Sequence, residues 1–301
     1  MNLNRLRTSL AAGFDQLYSN DHQARLEHWI VKISVAGFLA HLLLVFLSRT
    51  LPHPPALVAA VGQNYLSAIY TPFSFILFYE VLMLIAALPQ STTQSIAKQF
   101  EIVSLIFIRG FFKDVAELDD IGQFSQLTEK MVPVFLNVSA GLLMFLLVTV
   151  FLHVAQSRTP GKGPSGESQE LKKFIGRKKA LALGLTVLLL SLAIYNLSSF
   201  ANEVYQVGKA QLDVNTFFYT DVFAVMIFTD VLIVILSIVV SDSYELVFRN
   251  AAFVISTILI RFSLTVGRPY GAVLALAGMV FGIFTLLIYN YHTRIRRSAG
   301  G

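Results

Sequence analysis

The chain has no cysteine among its 301 residues, and charged residues are scarce. The absence of thiols excludes disulfides, thiolate metal sites, iron–sulfur clusters and covalently attached haem c. Charged residues make up 14% of the sequence, whereas an average soluble domain has about 25%. The few charges gather in short segments between long apolar stretches, a distribution that is typical of proteins embedded in a bilayer.

Eight apolar stretches are long enough, or nearly so, to cross a bilayer as helices. A run of about 18 or more residues with few charges is a candidate membrane span. The stretches are Trp29–Leu47, Leu66–Leu88, Ile96–Phe112, Met131–Ala155, Ala180–Leu197, Thr216–Val240, Leu246–Val266 and Tyr270–His292. One soluble helical core could not bury so many such runs, so we predict an all-α fold, a polytopic transmembrane helical bundle.

The basic residues outside these stretches or in their first turns are distributed unequally between the two sides of the predicted membrane. One side holds fifteen of them, and the other holds only Arg49, Lys113, Lys130, Lys209 and Arg268. The larger set is Arg5, Arg7, Arg25, Lys98, Arg158, Lys162, Lys172, Lys173, Arg177, Lys178, Lys179, Arg249, Arg294, Arg296 and Arg297. Because positive segments stay in the cytoplasm, we predict cytoplasmic N and C termini. We also expect no cleavable signal peptide.

The net charge of +5 follows from this topology and from attraction to anionic lipid head groups in the bilayer. We therefore expect no nucleic-acid partner.

The sequence repeats itself in two long segments. A shift of 150 residues aligns Glu80 with Asp230, and a shift of 152 residues aligns Arg109 with Arg261. A chance repeat of one acid and one arginine inside apolar stretches is much less frequent than chance matches of Leu and Ile. The identities around them are Phe73/Phe223, Phe78/Phe228, Val81/Val231, Leu82/Leu232, Ile85/Ile235, Ser104/Ser256, Ile106/Ile258 and Ile108/Ile260.

The repeat predicts eight spans as two parallel four-helix repeats, because an even number of spans returns the chain to the same side. The predicted order is an amphipathic cytoplasmic segment (1–28), the first repeat (29–155), a cytoplasmic linker (156–179), the second repeat (180–293) and a basic cytoplasmic tail (294–301). The linker is rich in Pro and Gly, which favours a flexible connection.

Charged residues inside a span need a partner, since a bare charge at mid-membrane costs about 2.5–3.5 kcal/mol on insertion scales. Counting residues along neighbouring spans puts each acid and arginine at depths that a long arginine side chain can bridge. We therefore predict two intramembrane ion pairs, Glu80 with Arg109 and Asp230 with Arg261. Glu101 lies eight residues before Arg109 on the same helical face and is a possible further member.

Two interpretations of these pairs remain open. The first is a structural clamp between helices, and the second is a path for ions or protons in which the carboxylates exchange partners.

Other patterns are weaker. Gly278 and Gly282 form a GxxxG in the last predicted span, which favours close helix packing or a subunit contact. Residues 3–18 have amphipathic helical spacing, typical of a helix on the membrane surface or of a docking helix for a partner. The six histidines form no cluster with metal-ligand spacing. We therefore expect no metal site and no cofactor.

Two segments, Phe-Tyr-Glu-Val-Leu ending at Leu82 and Ile-Val-Ser-Leu-Ile-Phe-Ile-Arg ending at Arg109, resemble the phosphate-starvation-inducible E (PsiE) family of four-span bacterial membrane proteins. Asp114 also fits the pattern, and residues 71–114 carry the resemblance best. The second copy departs from it, with Asp230 in place of Glu and Val266 at the position of the later acid. The resemblance implies a bacterial inner-membrane protein, here in tandem duplication, and a regulatory link to phosphate starvation.

The sequence shows no nucleophile with a base, no phosphate loop and no paired acids in a cleft, so we do not expect an enzyme. We expect a non-catalytic subunit or scaffold of a membrane assembly, with a membrane protein partner or a second copy of the chain. The alternative is an ion or small-solute channel or transporter, with a path between the repeats lined by Glu80, Glu101 and Asp230.

Overall fold

The computed structural model describes residues 3–55, 58–59, 64–116, 124–156, 169–207, 214–238, 244–266 and 270–299. Within these residues the chain forms nine α-helices and no β-strand. The helices are α1 (Leu3–Leu17), α2 (Asn20–Thr50), α3 (Ser67–Ala87), α4 (Thr92–Ala116), α5 (Phe124–Gln156), α6 (Gln169–Val207), α7 (Val214–Ile238), α8 (Tyr244–Thr265) and α9 (Tyr270–Ala299). The all-α prediction is therefore confirmed.

Six helical segments in the described part of the chain are long and apolar enough to cross a bilayer, which indicates a multi-pass membrane protein. They are Asn20–Thr50, Ser67–Ala87, Val134–Gln156, Lys173–Tyr195, Tyr244–Thr265 and Tyr270–Arg296.

Two predicted spans are not among these six segments. Ile96–Phe112 lies in α4, which carries three charged residues within that stretch. Thr216–Val240 lies mostly in α7, where the described apolar segment is only Phe223–Ile235, and residues 239 and 240 lie outside the described residues. The count of eight spans therefore stays a prediction.

Two helices begin earlier than the predicted segment boundaries. Helix α2 starts at Asn20, where the Ser19 hydroxyl accepts a hydrogen bond from the backbone N–H of His22 at 3.4 Å. Helix α6 starts at Gln169, so the last part of the predicted linker 156–179 is helical. Apart from Gly176, the Pro and Gly residues of the linker precede residue 167, and the Gln, Glu, Leu and Lys residues that follow are good helix formers. Residues 157–168 lie outside the described residues.

Helices that follow each other in the sequence also pack side by side. The first set is α2, α3, α4 and α5, and the second set is α6, α7, α8 and α9. The two sets meet where α4 contacts α8, α5 contacts α9 and α3 contacts α6. Helix α4 has neighbours in both sets, so it lies near the centre of the molecule.

Two clusters of buried side chains fill the interior. One is formed by α3, α4, α6, α7 and the end of α1, and the other by α4, α5, α8 and α9. In the second cluster Phe151 packs between Phe100 and Phe253, with ring centroids 5.0 and 6.0 Å apart. Since lipid tails are as apolar as these side chains, close packing and hydrogen bonds hold such a bundle together.

Part of the apolar face of α1 packs against other helices of the chain. Phe14 and Tyr18 are buried against the first cluster, and their rings lie 4.7 Å apart. The Tyr18 hydroxyl is 2.7 Å from Oγ1 of Thr186 on α6, and Lys179 Nζ lies 2.6 Å from Oδ2 of Asp15. The amphipathic segment predicted from the sequence therefore docks on α6.

Candidate functional site

The first acid–arginine pair joins α3 to α4. The Arg109 guanidinium forms an ion pair with the Glu80 carboxylate, which is buried next to Val81 in the first cluster. Ile108, one residue before Arg109, packs against Gly141 of α5. A Cβ added at Gly141 would lie 2.7 Å from Ile108 Cγ1. Glycine at this point lets α5 approach α4 at the turn that carries the arginine. The predicted partners are in contact where three helices pack.

The second pair joins α7 to α8 and is more deeply buried. Arg261 Nη1 lies 2.6 Å from Oδ2 of Asp230, and both side chains are almost fully buried. Thr257 lies one turn before Arg261, and its hydroxyl donates a hydrogen bond to the same carboxylate oxygen at 3.1 Å. The aligned position in the first repeat holds Leu105. Sequence reasoning missed Thr257, although a hydroxyl four residues before a buried arginine was a usable signal.

A third cation approaches the second pair. Lys178 of α6 is buried, and its ammonium group interacts electrostatically with Asp230. Its Nζ also donates a hydrogen bond of 2.8 Å to the backbone carbonyl of Gln90, just beyond the end of α3. A cation there complements the negative end of the α3 dipole. The sequence placed Lys178 only among basic loop residues, whereas the structure uses it to connect the two sets of helices.

Glu101 occupies a different environment from the two buried acids. Its carboxylate forms an ion pair with Lys98, three residues earlier on α4, at 2.9 Å. Both side chains are substantially exposed. Its partner is therefore local, and its membership of a path with Glu80 and Asp230 stays a prediction.

The predicted packing glycines lie between α8 and α9. An added Cβ at Gly278 would lie 3.0 Å from the Ser256 carbonyl oxygen, and one at Gly282 would lie 2.8 Å from Phe100 Cζ. The Ser256 hydroxyl donates a hydrogen bond of 2.6 Å to the carbonyl of Gly278. The GxxxG therefore packs against helices of the same chain, and this contact occupies the face that the sequence also offered for a subunit contact.

His41 is bonded to hydroxyl groups between α2 and α3. Its Nδ1 lies 2.5 Å from Thr71 Oγ1, and its Nε2 lies 3.4 Å from Ser67 Oγ. Both ring nitrogens thus have partners that join two helices. In the part of the chain that the structure describes, no group of three or more His, Asp or Glu side chains is positioned to hold a metal ion.

In both arrangements a buried acid contacts a cation on a neighbouring helix. Each buried carboxylate faces a guanidinium on the next helix, and Asp230 has a hydroxyl donor and a second cation as well. Such partners offset part of the cost of burying a carboxylate and join the two helices that carry them. Comparison of the chain with protein-family models, curated proteins and solved structures finds no match.

Proposed function

We propose that the chain is a non-catalytic, PsiE-like protein of the bacterial inner membrane that acts as a subunit or scaffold of a membrane assembly. The proposal includes eight spans in two parallel four-helix repeats, with both termini in the cytoplasm. The observation that carries the scaffold role is the closure of both buried acids by arginines on adjacent helices. Closed pairs fix helix packing, whereas a conduction path needs groups that exchange partners.

The contacts between the two helix sets support the parallel repeats. Helix α4 contacts α8 and helix α5 contacts α9, and each of these contacts joins equivalent members of the two proposed repeats. An axis along the membrane normal produces contacts of this kind, because it brings equivalent surfaces together.

Buried positions on the last helix of each proposed repeat extend the alignment. A shift of 135 residues places Ala140 over Ala275 and Met144 over Met279, and all four side chains are buried in the second cluster. The same shift places the buried Val148 over Ile283. The shift is smaller than 152 residues mainly because α5 begins 20 residues before Met144, whereas α9 begins nine residues before Met279.

The outer surface offers room for a partner. Helix α2 packs mainly on α3 and exposes an apolar face. This face consists of Val31, Val35, Leu39, Leu43 and Phe46. In the proposed assembly this face contacts another membrane protein or a second copy of the chain, and lipid covers the part of it that the partner leaves exposed.

One observation favours the alternative function, an ion or small-solute channel or transporter. Asp230 contacts Arg261 and has a weaker electrostatic interaction with Lys178, so a second cation lies in its neighbourhood, as an exchange of partners would require. The path would run between the repeats past Glu80, Glu101 and Asp230.

The mass of the native particle separates the two functions. We expect the protein, extracted from its own membranes in mild detergent, to run in native mass spectrometry as a complex with a second protein at fixed stoichiometry. A protomer alone, together with ion flux across liposomes that Glu80→Gln abolishes and Glu245→Gln leaves intact, would overturn the scaffold role and establish transport. The control acid Glu245 lies in the first turn of α8, outside both pairs.

A further inference from the structure

An apolar groove runs along the outer surface between α6 and α7. It has a volume of about 600 Å³, within the range of small-molecule sites. One face of α6 and one face of α7 line it. The lining residues are Arg177, Ala180, Leu181, Gly184, Leu185 and Leu188 on α6, with Val225, Thr229 and Leu232 on α7.

The walls of this α6–α7 groove are apolar apart from Thr229 and from the end of the groove at Arg177. Thr229 is the polar residue of the wall, and its hydroxyl donates a hydrogen bond of 2.9 Å to the carbonyl of Val225. The wall therefore offers no unsatisfied donor to an occupant. Leu188 lies eleven residues after Arg177, which corresponds to about 17 Å of helix. This length matches roughly half of a hydrocarbon core that is about 30 Å thick.

Gly184 in the middle of the groove has no packing partner. A Cβ added there would meet no atom within 4 Å, whereas one added at Gly278 or Gly282 would meet neighbours at 3.0 Å or less. Packing within the described part of the chain therefore gives no reason for a glycine at this position. A small residue instead deepens the groove for something outside the chain.

The charges at the end of the groove indicate the kind of occupant. Three consecutive basic residues lie there, and two of them are engaged, because Lys178 binds the Gln90 carbonyl and Lys179 pairs with Asp15. Arg177 is exposed and has no carboxylate partner in the described part of the chain. A guanidinium suits a phosphate group, to which it can donate two parallel hydrogen bonds.

We propose that the α6–α7 groove binds one anionic glycerophospholipid, with the phosphate on Arg177 and an acyl chain along Gly184 toward Leu188. The groove length is about that of one leaflet, its walls match an acyl chain, and its charged end lies at the level of the predicted cytoplasmic head groups. The inference requires that α6 and α7 face the bilayer, and it is independent of the scaffold role.

Native mass spectrometry of the full chain, titrated with phosphatidylglycerol or phosphatidylcholine, tests this site. We expect the wild type to retain one phosphatidylglycerol in preference to phosphatidylcholine. Arg177→Gln should weaken phosphatidylglycerol retention about fivefold, as expected for one basic residue near a head group, and leave phosphatidylcholine unchanged. Arg294→Gln, the same charge change near the end of α9, is the matched control and should have no effect.

A second variant tests the acyl chain. Gly184→Leu fills open space, so helix content and thermal stability should stay at wild-type values while retention of both lipids at this site is lost. Equal retention by the wild type, Arg177→Gln and Gly184→Leu would overturn the proposal. A dimeric mass that Gly184→Leu abolishes would also overturn it, because the occupant would then be a second copy of the chain.

Discussion

Removal of Arg261 should be the most destabilising single change at the two acid–arginine pairs. Its side chain is 3% exposed, whereas that of Arg109 is 23% exposed. Loss of one partner from a buried pair costs about 3–5 kcal/mol, since the other charge stays buried without compensation. We therefore expect Arg261→Met to lower the free energy of unfolding by that amount. Arg109→Met should cost about half as much, because the Arg109 side chain is less buried within the protein.

The double variant Asp230→Leu/Arg261→Met separates the pair energy from general disruption. When both charges are removed and apolar side chains fill their place, most of the loss should be recovered, to within about 1 kcal/mol of wild type. The free energy of unfolding can be measured by titrating the detergent-solubilised protein with dodecyl sulfate and following its helical circular dichroism. Asp230→Asn alone should resemble Arg261→Met.

Two outcomes would refute this reasoning. If the double variant were as unstable as Arg261→Met, the loss would come from packing and not from an uncompensated charge. If Arg109→Met and Arg261→Met cost the same, exposure would not control the energy of the pairs. The Glu101–Lys98 pair provides a baseline, because Lys98→Met removes an exposed partner and should cost less than about 1 kcal/mol.

Three further predictions follow from other features. Gly282→Ala should lower the free energy of unfolding by about 1–3 kcal/mol because its Cβ would clash with neighbouring side chains. Gly184→Ala, which meets open space, should raise it by about 0.5–1 kcal/mol in the same dodecyl sulfate titration, because alanine favours a helix more than glycine does. Burial raises the pKa of Tyr18 above its ordinary value of 10.0, so melting curves should show stability lost as pH rises above about 10, and less so in Tyr18→Phe. In the cysteine-free background, an impermeant maleimide added to intact cells should label Thr50→Cys and not Ser298→Cys; the reverse pattern would invert the proposed orientation.

The acid–arginine contacts could be anticipated because charge inside an apolar stretch is rare and must be neutralised. Glu80 and Asp230 each have an arginine at a reachable depth on the following helix, so counting residues was sufficient. The partner of Glu101 was also available from the sequence, since Lys98 lies three residues away on one helix. The spacing of Lys98 and Glu101 along α4 favours an ion pair within that helix. The prediction instead assigned Glu101 to a continuous path with Glu80 and Asp230.

Contacts between distant parts of the chain could not be predicted in this way. Lys178 reads as one more basic loop residue until the fold brings α6 against the end of α3 and near Asp230. The open surroundings of Gly184 likewise depend on how α6 and α7 diverge. The correspondence of Met144 with Met279 was hidden because the longer first part of α5 changes the alignment shift between the repeats.

Helix α1 cannot dock until α6 has been synthesised. Tyr18 and its hydrogen-bond partner Thr186 are 168 residues apart, which the ribosome needs about 8–34 s to translate at 5–20 residues per second. Throughout that interval the apolar face of α1 lacks the α6 surface on which it docks and must rest on lipid or on a chaperone. A product that stops before residue 169 therefore never acquires the binding surface for its own first helix, and such fragments should be recognised and degraded as orphans.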